Sequence, residues 1–166
     1  MSSEKTVKAG LNIKSAAFED GRNIPLEYSH TNAGGKNKSI PVSWTGVSEN
    51  TKSLTLLIYD IHPVAHDFVH WLVTGITPDT REIKDGASGT AAMPAGAIEL
   101  GTSYGNAGYG GPCPPKGSGK HEYRVILYAL NTDKITVKDP VSYAAIVKAL
   151  EGKVIEQVMI KGYYER

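Results

Sequence analysis

Short apolar runs separated by Gly-, Pro- and Asn-rich connections dominate this chain, and most of those runs alternate or are continuously apolar instead of following a helical period. Ser53–Tyr59, SLTLLIY, is the strongest in the first half. Its β-branched and aliphatic content predicts a buried strand that delivers Asp60 at its C-terminal end. Val69–Val73 and Tyr123–Leu130 read the same way, with His70 and His121 near their starts. Leu11–Phe18 is strand-like up to the Asp20-Gly21 turn signal, and Ile24–Tyr28 reads as a short strand with Pro25 at its edge. Asn32–Ser39 reads as a loosely constrained surface loop before the apolar Ile40–Trp44. The helical period appears once, in Tyr143–Lys153, where Ala145, Ile146, Ala149 and Leu150 share a face, Ser142 is placed to cap and Gly152 to stop. Val154–Tyr164 returns to alternation and predicts a last strand. The expected fold is mainly β, two antiparallel sheets packed over one core, with one or two short helices near the C-terminus.

Two stretches break the pattern. Gly110–Gly119 holds four Gly, three Pro and a Ser, a composition that excludes regular helix or strand and predicts a shaped loop feeding directly into the strand that begins at His121. Asp60–Ile76, DIHPVAHDFVHWLVTGI, gathers three of the five histidines. Thr90–Gly117 is long, nearly uncharged and carries Tyr104 and Tyr109, which favours an ordered, packed connection.

Composition narrows the function classes. The 166 residues suit one domain, 1–166, with a polar, frayed start over residues 1–10. Lys and Arg total 18 against 17 Asp and Glu, with no long basic run, so no nucleic-acid partner is expected. The single Cys113, the lack of an apolar leader and the absence of any ~20-residue apolar stretch point to a cytoplasmic protein that does not insert into membranes. Flanked by prolines and away from a helix start, Cys113 reads as a buried, inert thiol. His62, His66 and His70 are spaced as metal ligands would be on a helix, but Pro63 lies among them. On a strand, residues four apart are ~13 Å from each other, so no metal is expected. Histidine suits an anion because each ring nitrogen can donate when protonated, while a carboxylate such as Asp60 orients the ring. Successive backbone N–H groups of a Gly-rich loop can add to such a site, and Tyr123 and Tyr104 can each present an apolar face with a polar tip.

The set DIHPVA, HDFVHWLV and GYGGPCPPKGSGKHEYRVILYAL, with SIPVSW at Ser39–Trp44 and the closing KGYYER, resembles the phosphatidylethanolamine-binding protein family in its bacterial and archaeal branch. That resemblance spans nearly the whole chain. It implies a β-sandwich with a small anion-binding pocket formed by Asp60, His70 and His121 and lined by Pro115 and Tyr123, with Phe68 at a position often aromatic and Pro63 as a further wall. Where many relatives carry Asp-Pro-Asp-x-Pro, this chain has Asp60-Ile61-His62-Pro63, so the second acid is absent and the motif is one residue shorter, with His62 expected either to take over that acid's structural role or to alter the pocket's polarity. The resemblance implies a binding protein with no catalytic residue and no cofactor. Its ligand would be a phosphoryl or carboxylate group on a small molecule, lipid headgroup or peptide, and both histidines would donate to it as imidazolium. The alternative is a protein-interaction regulator, such as a serine protease inhibitor or kinase modulator, and a third reading is a hydrolase using His70 and His121 as acid and base. A pocket without a further C-terminal helix would be open or closed by a second copy of the chain in a homodimer.

Overall fold

The computed structural model describes residues 10–166; the frayed start expected over residues 1–10 lies, but for Gly10, outside the described residues. Nine strands and one α-helix follow in chain order: β1 (Asn12–Lys14), β2 (Arg22–Asn23), β3 (Val42–Thr45), β4 (Ser53–Asp60), β5 (Phe68–Ile76), β6 (Glu82–Ile83), β7 (Ile98–Glu99), β8 (His121–Leu130), α1 (Tyr143–Leu150) and β9 (Val154–Tyr164). They form a six-stranded sheet of order β2-β9-β8-β4-β5-β7 and a three-stranded sheet of order β1-β3-β6. The fold is thus the expected two-sheet, mainly β architecture, with one correction: β2 runs parallel to β9, while all other strand pairs are antiparallel.

Alternation along the central strands sorts their side chains onto two faces. Leu54, Leu56 and Ile58 of β4 and Tyr123, Val125 and Leu127 of β8 pack with Ile13, Val42 and Trp44 between the sheets. Leu57, Tyr59, Ile126 and Tyr128 face the other way and bury Ile146 and Leu150 of α1 with Ile135 and Val141. The result is small sheet, large sheet, helix. Ser142 Oγ accepts the Ala145 N–H at 3.1 Å, capping α1, which ends at Leu150, short of the expected Lys153. No helix among the described residues is long and apolar enough to cross a membrane.

Local chemistry explains where the segments depart from expectation. Leu11–Phe18 pairs only over Asn12–Lys14. Ile24–Tyr28 is not a strand: the Ile24 N–H still reaches Tyr163 O at 2.8 Å, but Pro25 has no N–H to give, and Leu26–Tyr28 coils into a 3₁₀ turn. Asn32–Ser39 is better anchored than its composition suggests. Asn37, with φ of 51°, donates from Nδ2 to Tyr109 O (3.3 Å) and accepts the Gly111 N–H at Oδ1 (2.7 Å). The Thr90–Gly117 connection is packed only in part: it contains β7, and buried Tyr109 donates its hydroxyl to Tyr28 O at 2.7 Å, while Ser103–Ala107, with Tyr104, lies exposed.

Candidate functional site

Asp60 ends β4 directly opposite Tyr123 of β8 and Phe68 of β5, so three chain segments meet at one end of the large sheet. Its carboxylate takes one hydrogen bond on each oxygen. Oδ1 accepts the His62 N–H at 2.9 Å, and Oδ2 lies 2.6 Å from His121 Nδ1, which donates to it. Asp60 and His121 are 3% and 1% exposed, so this is an interior contact between charge-bearing groups, where an unpaired carboxylate would be severely destabilising. The other ring nitrogen, His121 Nε2, is 2.9 Å from Ser118 Oγ, which also lies 2.6 Å from Pro115 O. Ser118 has one proton and Pro115 O can only accept. Both ring nitrogens of His121 thus have partners within the protein, and Ser118 ties the ring to the Pro115 end of the loop.

His62 covers this pair. Its ring stacks on His121 with centroids 3.8 Å apart and planes 9° off parallel, and its Nδ1 accepts the Val64 N–H at 3.1 Å, capping the 3₁₀ turn Pro63–Ala65. His62 thus acts as a cap and a lid on His121. His66 and Asp67 then take left-handed φ of 50° and 54°, uncommon for residues other than Gly, to swing the chain back into β5. Among the described residues no three His, Cys, Asp or Glu side chains gather as metal ligands.

A β-bulge places His70. The β4–β5 register steps from Ile58–Trp71 to Tyr59–Val69, so His70 has no partner on β4. Val69 consequently packs on the helix side of the sheet, and His70 joins Trp71 on the side facing the small sheet. His70 and Gly110 bond reciprocally: the Gly110 N–H donates to His70 O at 2.9 Å, and His70 Nδ1 donates to Gly110 O at 2.7 Å. Burial pushes the His70 imidazole down to about 4, so it is neutral at neutral pH. The expected pair of imidazolium donors is corrected here: neutral His70 offers a lone pair at Nε2, and both nitrogens of His121 are held by the protein.

Tyr104 packs edge-on against Phe68 and His70, centroids 4.7 and 5.6 Å away, and donates its hydroxyl to Gly111 O at 2.6 Å. Behind these rings is a cavity of about 280 Å³ lined by Asp60, Phe68, His70, Pro115, His121 and Tyr123, and also by Val64, Ala65, Tyr104, Cys113 and Pro114. That volume is just below the ~300–1,000 Å³ of typical small-molecule pockets. Six of the seven sequence-predicted residues meet here. Pro63 does not line the cavity; as the first residue of its 3₁₀ turn it places Val64 and Ala65 there instead. Cys113 is half-buried and forms part of the wall, not the fully buried thiol expected, with Arg166 Nη1 3.5 Å from its Sγ. Sequence reasoning missed Val64, Ala65 and Pro114, aliphatic residues with no chemical signal. Tyr123 Oη is the one buried side-chain polar atom without a hydrogen-bond partner among the described residues. Burial, then the neighbouring Asp60 charge, pushes this phenol far above its ordinary range, so it remains O–H.

A β-sandwich with a small cavity at the end of its central strands, walled by an Asp–His pair, a second His and a Gly-Pro loop, defines a class of binding fold, and the comparisons agree. The family described as phosphatidylethanolamine-binding protein matches residues 14–165, and the chain belongs to that family. A UPF0098 protein of Methanothermobacter thermautotrophicus is 34% identical over 156 residues, 94% of this chain and 99% of that protein. YbcL of Escherichia coli is 32% identical over 162 residues, covering 95% and 88%. Its crystal structure, described as a new member of the mammalian PEBP family, superposes with a TM-score of 0.86 over 95% of this chain and 99% of that one. A Mycobacterium tuberculosis relative named putative lipoprotein LppC is 39% identical over 120 residues, 72% of this chain and 55% of its own.

Proposed function

We propose that this chain is a binding protein without enzymatic activity, whose cavity receives a small phosphoryl- or carboxylate-bearing group, free or displayed on a lipid headgroup or peptide. The observation that carries this is the Tyr123 hydroxyl, a buried donor without a partner on the wall of a cavity. An unmade buried hydrogen bond costs about 1–3 kcal/mol, which an acceptor oxygen from a ligand would recover. The cavity's size supports a headgroup-scale ligand, with acyl chains left outside.

Asp60, His121 and Ser118 lie in the order of a catalytic triad, which calls for a direct answer. Ser118 does not line the cavity, and its proton has the Pro115 carbonyl as a closer acceptor than His121 Nε2. Both points favour binding over hydrolysis. Calorimetric titration with inorganic phosphate, O-phosphoethanolamine and acetate tests the proposal: saturable binding that weakens about tenfold in Tyr123→Phe supports it. Turnover of p-nitrophenyl phosphate or p-nitrophenyl acetate that Ser118→Ala abolishes would overturn the non-enzymatic reading. A cytoplasmic location is part of the proposal on the single cysteine alone. Cell fractionation tests it, and recovery with membranes, the direction in which the name of the mycobacterial relative points, would overturn it.

A further inference from the structure

The protonation state of the ligand follows from the ring that meets it on the cavity wall, His70, an inference that rests on the receptor reading above. Tyr123 Oη is a donor held in its O–H form. Gly110 O can only accept, so His70 Nδ1 carries the proton of that 2.7 Å bond, and in the neutral ring Nε2 is a lone pair with no partner among the described residues. The cavity wall therefore offers an acceptor at His70, with the Tyr123 hydroxyl buried behind it beside Asp60. The neighbours of His70 do not fill that acceptor. On β4, Asp60 is engaged by the His62 N–H and His121 Nδ1. On β8, His121 is held by Asp60 and Ser118, and Tyr123 meets His70 edge-on at 5.2 Å. From the connection after β7, Tyr104 donates to Gly111 O, and the Cys113 thiol is approached by Arg166, which also donates to Asn32 O and Pro114 O. His30, whose charged form would disfavour protonation of His70, stacks on the far ring, Tyr104, at 5.0 Å. On its own strand His70 has only the apolar ring of Phe68, 4.9 Å away.

A fully ionised phosphate entering this cavity would set a lone pair against the His70 lone pair. A ligand with one acid O–H satisfies the His70 acceptor. We infer that the cavity selects the proton-bearing form of its ligand, a monoanionic phosphate monoester or an un-ionised carboxylic acid, with the acid proton shared between a ligand oxygen and Nε2 of His70. Binding from neutral solution then takes up a proton.

The test uses methyl phosphate and dimethyl phosphate, each singly charged at pH 5.5, of which only the monoester has an acid proton. Titration calorimetry of the wild-type chain in buffers of different ionisation enthalpy reads affinity and proton uptake together. Methyl phosphate is expected to bind about tenfold or more tightly than dimethyl phosphate at pH 5.5. Its affinity should fall towards about tenfold per pH unit above the second ionisation of a monoester, near 6, with close to one proton taken up. In His70→Leu, checked for folding by circular dichroism, the preference between the two esters should collapse. Equal affinities, or methyl phosphate binding that is flat or rises with pH, would overturn the inference and leave the receptor reading standing. Failure of both esters and of acetate to bind would overturn the receptor reading and the inference with it.

Discussion

Tyr123 and His121 are neighbours on one face of one strand, yet the structure gives them opposite parts. His121 is spent within the protein and Tyr123 is left open. Replacing Tyr123 by Phe removes an unpartnered hydroxyl, so the unliganded protein should be as stable as wild type or gain up to about 1 kcal/mol in urea unfolding, while phosphate affinity falls. A loss of several kcal/mol would show that the hydroxyl has a partner in the fold. His121→Ala has the contrary signature, because it strands a carboxylate that is 3% exposed beside His62. Breaking such a pair costs about 3–5 kcal/mol. Asp60→Asn should lose less, and the double variant Asp60→Asn/His121→Ala less than the sum of the singles, since both remove one interaction. Additive losses in the same unfolding experiment would mean that the 2.6 Å contact is not a working pair.

Elements place these residues through two devices, the bulge at His70 and the close approach of the Gly110–Pro115 passage to the 28–30 segment. The second makes a paired test. A Cβ on Gly111 would run into the Tyr28 carbonyl and come within 2.6 Å of His30 N, both backbone atoms that cannot swing away. Gly111→Ala should therefore destabilise by at least about 2 kcal/mol and shift the carbonyl that Tyr104 holds, weakening ligand binding as well. Gly117, six residues on, has φ of +77° but nothing within 4 Å of an added Cβ. Gly117→Ala should cost only the left-handed backbone penalty, about 1–2 kcal/mol, and leave the cavity intact. Thermal melts with ligand titrations on both variants check this, and equal effects would discount the packing of the passage.

At the scale of the whole molecule, the buried His70 ties stability to pH. Its native value is lowered from 6.5 to about 4, so between those values the unfolded chain binds a proton that the native protein refuses. The sign follows: His70 leaves stability intact above about 6.5 and subtracts from it as pH falls towards about 4, by roughly 3 kcal/mol in all. Urea unfolding from pH 7.5 to 4 should show this slope, and His70→Gln should flatten it by about that amount. An unchanged slope in the variant would mean that His70 is already protonated in the native protein.

Much of this was legible in the sequence. The apolar, β-branched and aromatic runs Ser53–Tyr59 and Tyr123–Leu130, the cap at Ser142 and the Gly-Pro run before His121 are local signals, fixed by backbone sterics and by which side chains must leave water. The Asp-His-His set could be named because the motifs that carry it resemble one family; the residues by themselves said only that two histidines at two strand beginnings could converge. What the chain does not encode locally is pairing. The β4–β5 bulge that turns His70 to the cavity, the parallel contact of β2 with β9, and the anchoring of Asn37 on Tyr109 and Gly111 all depend on which distant backbone groups meet. The protonation of the site belongs with them. His70 is neutral because it is buried with one nitrogen committed to Gly110, and His121 is engaged because Asp60 and Ser118 close on it, facts of enclosure that residue type and spacing do not contain.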